Sequence, residues 1–304
     1  MEHLGFTLNN LFALTVQLAI PIALAALGGT ISERSGIINL GLEGMMLMGA
    51  FAGVLGVYVT GMPWFGVVFS IIAGGLVGGL HGLFSIRFKA QQAVSGVGIN
   101  MMAAGLTPVL LKIIWKNEGM SSSVATVPTI TIPLLNKIPF IGGIFDKQSP
   151  YLFYAIAAVT IAWIIIYKTK IGLRLRAIGD YPRSAQTAGI NVNKYKYIAV
   201  IISGCLAGLG GSYLSISQNN LFVVDMVSGR GFMGLAANIF GGWNPIGSLL
   251  ASLVFAFGQS IRFYLLEVNI PDKFIQMIPY VVTLMVLLAV GKKSKEPEAL
   301  GKID

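Results

Sequence analysis

Apolar runs of about twenty residues follow one another along most of this chain, and that rhythm leaves few choices of fold. A helix needs about 20 apolar residues to cross the hydrocarbon of a bilayer. Runs of that kind are read at Leu11–Leu27, Ile37–Thr60, Trp64–Ile86, Gln92–Trp115, Tyr151–Tyr167, Tyr197–Ile216, Ile246–Leu266 and Phe274–Val290. A further apolar stretch, Gly229–Trp243, is short for a full span. The sequence therefore predicts an all-α, polytopic membrane bundle of about nine spans, forming one transmembrane domain over residues 1–304. Only 11% of the residues are charged, against roughly 25% in a soluble domain. Such a chain cannot clothe a water-facing surface, so a lipid bilayer is its expected surrounding. Met1–Asn10 holds no Lys or Arg, so the first run lacks the basic flank of a signal peptide and is read as a permanent span.

Charge supplies the orientation. The interval 168–196 carries seven basic residues, Lys168, Lys170, Arg174, Arg176, Arg183, Lys194 and Lys196, against one acid, Asp180. A basic cluster flanked by apolar runs marks a cytosolic loop. With that loop inside and the spans alternating, fourteen of the 21 Lys and Arg fall on the inner side, among them Arg34, Arg87, Lys89 and a basic tail over 292–304. The N-terminus is then outside and the C-terminus inside. The net charge of +9 is read as this topological bias and not as a nucleic-acid surface. Glycines recur at four-residue spacing, at Gly49/Gly53, Gly74/Gly78/Gly82, Gly75/Gly79 and Gly204/Gly208, a pattern that lets membrane helices approach closely. A faint echo links Ser35-Gly36…Gly53 with Ser228-Gly229…Gly242.

Several chemistries are excluded. No G-x-x-x-x-G-K-[ST] phosphate loop occurs, so ATP is not bound in that way. His3 and His81 lie far apart, and the single Cys205 permits neither an intrachain disulfide nor a cysteine metal cluster. No cofactor is expected in this chain. Glu43 is the one acid well inside an apolar run, and Asn39 stands four residues earlier, on the same face if both are helical. Acids at membrane depth are candidates for function, although Glu43 has a plainer reading as a hydrogen-bond partner of a neighbouring helix or of Arg34. Asn100 and Asn238 either bridge helices or, with Asn39 and Glu43, line a path for a polar, uncharged solute. No span carries the row of charges that an ion pathway or voltage sensor needs. Within the basic loop, Gly179–Ile190 reads as a short helix, with Asp180 able to cap its start, Pro182 suited to its first turn and Gly189 suited to its stop.

At these residues the chain resembles a known family. The run Arg176–Ile190 is similar to the cytosolic coupling segment of bacterial ABC-importer permeases of the branched-chain amino acid/ribose class. Ile31–Met46 resembles the N-terminal signature of their simple-sugar and nucleoside subgroup, and Gly231–Gly242 with Asn244–Gly247 resembles their late glycine-rich segment. The resemblance implies a type II ABC-importer-like permease in a bacterial cell membrane. It implies a cytosolic ABC ATPase that consumes the ATP, a second permease as copy or paralogue, and a substrate-binding lipoprotein. It also implies ATPase coupling through Asp180, Pro182, Arg183, Ala185, Ala188, Gly189 and Ile190. Nucleosides are the expected cargo, with a ribose- or galactose-type sugar as the alternative. A stand-alone channel or ion-coupled carrier is the reading from a different class.

Overall fold

A computed structural model describes residues 2–130, 148–265 and 296–302. The described chain is helical, with no strand beyond two isolated bridges, Met120 with Val223 and Ile130 with Gln148. Ten α-helices follow in order. These are α1 (Glu2–Glu33), α2 (Leu42–Thr60), α3 (Pro63–Gly82, continued by a π turn Leu83–Arg87), α4 (Gln92–Trp115) and α5 (Tyr151–Lys168), then α6 (Lys170–Asp180), α7 (Pro182–Thr187), α8 (Val192–Ser212, continued by a π turn Tyr213–Gln218), α9 (Arg230–Phe240) and α10 (Pro245–Leu265).

Local signals set several boundaries. Gly61 closes α2 in the left-handed conformation, and Pro63 opens α3 at its first position, where no intrahelical donor is needed. The Asn191 side chain caps α8 by accepting from Lys194 N at 3.1 Å.

Six of the described helices are long and apolar enough to cross a membrane: α1 from Asn10, α2, α3 with its π turn, α4, α5, and α8 with its π turn. The protein is a multi-pass membrane protein. About nine spans are not reached by these. The 11-residue α9 is about 16 Å long, half the hydrocarbon thickness of about 30 Å. The Phe274–Val290 run and residues 292–295 and 303–304 of the tail lie outside the described residues. Two other boundaries move. The first helix runs on past Leu27 to Glu33, and the second span begins at Leu42, not Ile37.

The core lies where α1, α2, α3 and α8 meet. In its most apolar stretch α4 is mostly exposed, whereas α8 with its π turn is mostly buried, so α8 is central and α4 lies at the periphery. Glycine contacts bring α3 and α8 together backbone to backbone. A Cβ at Gly74 would stand 2.2 Å from Gly204 O, and one at Gly78 would stand 2.7 Å from Val200 O. On the facing side, a Cβ at Gly49 of α2 would stand 2.3 Å from Gly208 Cα. The four-residue glycine spacing therefore builds a three-helix contact.

The segments assigned to the inner side by charge gather at one end of the bundle. Gly179 packs on Arg34, where a Cβ would stand 2.3 Å from the Arg34 carbonyl oxygen. Ala299 N donates to Gly179 O at 2.9 Å, and Gly301 N donates to Gly36 O at 3.2 Å.

Candidate functional site

Between α1 and α2 the chain leaves helical geometry and turns back into the bundle. Gly36, at φ +90°, makes the turn, a conformation that side-chain-bearing residues resist. Residues 37–39 then follow no regular structure, and Leu40 and Gly41 turn into α2. Buried non-helical backbone is stable only where its polar groups find partners inside the protein. Here side chains of α1, α3 and α4 supply them. Ser32 of α1 donates to Ile37 O at 2.7 Å. Gln92 of α4 accepts from Ile38 N at 2.7 Å, and His81 Nε2 of α3 is 3.0 Å from Ile38 O. A carbonyl only accepts, so Nε2 carries a proton, while Nδ1 lies 2.9 Å from Ser95 Oγ. Asn100 of α4 spans the entry to α2. Its Nδ2 donates to Leu40 O and its Oδ1 accepts from Gly44 N, both at 2.8 Å. Asn39 accepts from Gly41 N and donates to Ser203 Oγ of α8 at 2.9 Å.

This strap is flanked by two acids, and each grips one end of α9. Glu43, in the first turn of α2, accepts from Gly229 N through Oε1 and from Gly231 N through Oε2, both at 2.7 Å. The first N–H groups of a helix have no intrahelical partner and carry the positive end of its dipole, so a carboxylate is the natural cap for α9. The approach is close: a Cβ at Gly231 would stand 2.5 Å from Glu43 Cα. At the other end of α9, buried Glu33 accepts through Oε2 from Asn238 Nδ2 at 2.8 Å and from Trp243 Nε1. Thr30 Oγ1 lies 2.8 Å from both Asn238 Oδ1 and Ser248 Oγ. Arg34 donates from Nε to Trp243 O at 2.7 Å.

The residues expected on a solute path are thus brought to the strap and to α9. Asn39 and Asn238 are buried with their amides bonded within the protein, and Asn100 and Glu43 are half-buried. The shared helical face expected for Asn39 and Glu43 does not exist, because residues 37–41 are not helical and Asn39 turns to α8. Arg34 is not the partner of Glu43; it binds the turn after α9. Glu33, His81, Gln92 and Trp243 were not singled out as partners of the strap or of α9. The detectable signal was two glutamates bracketing a Ser-Gly-containing segment inside an apolar run.

Asn100→Leu removes both the donor to Leu40 O and the acceptor of Gly44 N. Each stranded group costs about 1–3 kcal/mol. A lower melting temperature of the purified protein and reduced transport are expected, with no change in membrane insertion.

At the basic end, α6 runs to Asp180 and a single residue, Tyr181, separates it from α7. Asp180 therefore ends α6 and does not cap α7, whose preceding residue Tyr181 makes no side-chain cap bond. Pro182 holds the first position of α7, and Gly189 lies at φ +78°. Ile190 N donates to Ala185 O at 3.1 Å and Gly189 N to Gln186 O at 3.0 Å, the paired bonds of a glycine-terminated helix. Ala185 is buried, while Arg183, Ala188 and Gly189 are exposed.

The family model for the branched-chain amino acid transport system / permease component matches residues 11–290, and the chain belongs to that family. It is 37% identical to a nucleoside ABC transporter permease protein, NupC of Lactococcus lactis subsp. cremoris, over 97% of this chain and 96% of the relative. It is 40% identical to a guanosine ABC transporter permease protein, NupQ of Bacillus subtilis, over 94% of this chain and 93% of that one. The fold is similar to a chain in the solved structure of PsaBC from Streptococcus pneumoniae in complex with Fab, at TM-score 0.51 and 12% identity, covering 90% of this chain and 89% of that chain. The chain is a permease subunit and not an enzyme.

Proposed function

We propose that the protein is the permease subunit of an ATP-driven importer of nucleosides in a bacterial plasma membrane. The observation that carries this reading is the 37% and 40% identity, along nearly the whole chain, to a nucleoside and a guanosine permease. The proposed assembly pairs this chain with a second permease, as copy or paralogue. Cytosolic ABC ATPases dock at the basic end, and a substrate-binding lipoprotein delivers solute from outside. About nine membrane segments are proposed in all: the six spans, α10, the half-length α9 and the Phe274–Val290 run.

Coupling is assigned to α7 and its flanks, Asp180, Pro182, Arg183, Ala185, Ala188, Gly189 and Ile190. A contiguous chain of contacts supports a route inward from there. α7 is one residue from α6, Gly179 of α6 packs on Arg34, and residues 299–301 bond both Gly179 and Gly36. The strap begins at Gly36, and its flanking acids hold both ends of α9. A displacement of α7 then reaches α9 without crossing lipid. Asn39, Glu43, Asn100 and Asn238 are proposed to shape the solute path through the strap and α9. Nucleoside and sugar share hydrogen-bonding chemistry, so uptake decides between them. Cells with and without this chain are compared for uptake of labelled guanosine and adenosine, with unlabelled ribose, galactose and leucine as competitors. Loss of nucleoside uptake on deletion, without sugar competition, is expected; intact nucleoside uptake overturns the cargo assignment.

The coupling role has its own test. Gly189 has open space around it, so Gly189→Arg adds bulk at the proposed docking face and strains φ, without touching the bundle. Normal insertion and melting are expected with uptake reduced at least tenfold. Unchanged uptake removes α7 from the coupling interface.

A further inference from the structure

The half-length helix α9 starts near the middle of the membrane. It runs beside α1 in a fixed register. A Cβ at Gly234 would stand 2.6 Å from Ala25 Cβ, and one at Gly29 would stand 3.6 Å from Asn238 Cβ. In that register Arg230 lies level with Pro21, about 18 Å from Glu33 along the helix axis. α1 crosses the membrane over Asn10–Glu33, so Pro21 marks its midpoint. Residues 219–229 come down to this level from the outer side without helical structure. The Phe222 ring is 5.4 Å from that of Phe51, which stands about 12 Å further out along α2 than Glu43. Asp225 lies between those two levels.

Three charged side chains meet there. The Glu43 carboxylate is engaged by Gly229 N and Gly231 N. Arg230 folds back and donates through Nη1 to Met226 O at 3.2 Å and Val227 O at 3.1 Å. Asp225 is close enough for its charge to act on Glu43. Yet among the described residues its carboxylate accepts no hydrogen bond and joins no ion pair, and the residue is exposed. Charges at membrane depth face the bundle interior or a water-filled path, not lipid. Non-helical backbone at that depth is tolerated on the same condition. Asp225 is therefore turned to a wet path, as the one unengaged charge of the three.

An ionised carboxylate only accepts, and its two oxygens suit a pair of adjacent donors. We propose that Asp225 contacts the solute directly, accepting from two neighbouring donors of a passing nucleoside, and so sets part of the permease's specificity. Two parts of a nucleoside offer such a pair: the 2′,3′-diol of ribose, and the ring and exocyclic N–H groups of guanine. The inference rests on the nucleoside reading above. It gives Asp225 a role that Asn39, Glu43, Asn100 and Asn238 do not share, since their polar groups already bond within the protein.

The test uses the whole importer in cells, with the permease at matched membrane levels. Uptake of labelled guanosine, 2′-deoxyguanosine and inosine is compared between wild type and Asp225→Asn. Asn tolerates the left-handed backbone of this position, φ +59°. The substrate-binding protein is the same throughout, so a change in the relative uptake of the three solutes arises in the permease. Guanosine uptake is expected to fall at least tenfold, as for loss of a bond to a charged acceptor. A fall for 2′-deoxyguanosine at least fivefold smaller assigns Asp225 to the ribose diol. The same sparing of inosine, which lacks the exocyclic amine, assigns it to the guanine edge. Asp225→Gly, which suits the same backbone, is expected to repeat the pattern with unchanged melting of the purified protein. Undiminished guanosine uptake overturns the proposal. So do falls in which neither analogue is spared, the mark of a contact serving assembly or gating alone. Either result leaves the nucleoside reading standing, whereas a wild type that carries none of the three solutes overturns both.

Discussion

Glu43→Ala is expected to abolish transport and to lower stability by several kcal/mol, because one side chain satisfies two backbone donors inside the bundle. Gly229 N and Gly231 N each donate to a separate carboxylate oxygen at 2.7 Å. Bonds to charged acceptors are worth about 1.5–3 kcal/mol each, and a buried donor left without an acceptor costs about 1–3 kcal/mol. The N-terminal end of α9 also loses the charge that complements its dipole. Glu43→Gln separates these effects. The amide keeps one acceptor oxygen and loses the charge, so partial stability and strongly reduced uptake are expected. The measurements are melting of the purified protein and uptake in cells at matched expression. If Glu43→Ala melts and transports like the wild type, α9 is not held by this carboxylate.

The second large effect concerns packing. Gly74→Ala puts a methyl group 2.2 Å from Gly204 O and 2.8 Å from Gly208 Cα, both backbone atoms that cannot rotate away. Inserting a methyl into a close-packed contact costs about 1–3 kcal/mol even where side chains can adjust. Here α3 and α8 must move apart, and α2, which meets α8 at Gly49 and Gly208, must move with them. The variant is expected to be degraded or to accumulate at a small fraction of the wild-type level. Gly79→Ala, on the same helix, is the control: its Cβ would meet only Ile201 Cγ1, at 3.8 Å, an ordinary contact. Equal membrane levels of the two variants would show that close helix approach does not set the stability of this bundle.

The sequence made some of this legible and hid the rest for physical reasons. Positive charges avoid the outer side, so Lys89, Arg183 and Lys302 were grouped before any geometry was known, and the structure brings them around one cavity. Glycine spacing carries packing information at a fixed helical period, so close approach was readable at Gly74, Gly78, Gly204 and Gly208, while the pairing of α3 with α8 came only from the structure. The Pro182 and Gly189 punctuation of α7 was readable because those residues act on their own backbone. The strap was not. Hydropathy does not distinguish a helix from a non-helical segment whose backbone groups are satisfied by distant side chains, so Ile37 to Gly41 looked like the start of a span. The pairings of Glu33 with Asn238 and of Glu43 with Gly229 cross nearly two hundred positions or more, and no local rule encodes them. The faint echo between Ser35-Gly36 and Ser228-Gly229 has a local meaning. Gly36 and Gly229 both adopt positive φ, +90° and +82°, at the start of the strap and at the cap of α9.

The bonds from Ala299 and Gly301 to Gly179 and Gly36 also bear on biosynthesis. Translation is directional, and residues 299–301 leave the ribosome after all ten helices described here. Until they do, α6 and the strap lack the segment that ties them together. A nascent permease can therefore have its spans inserted while Gly36 and Gly179 are still unlatched from each other.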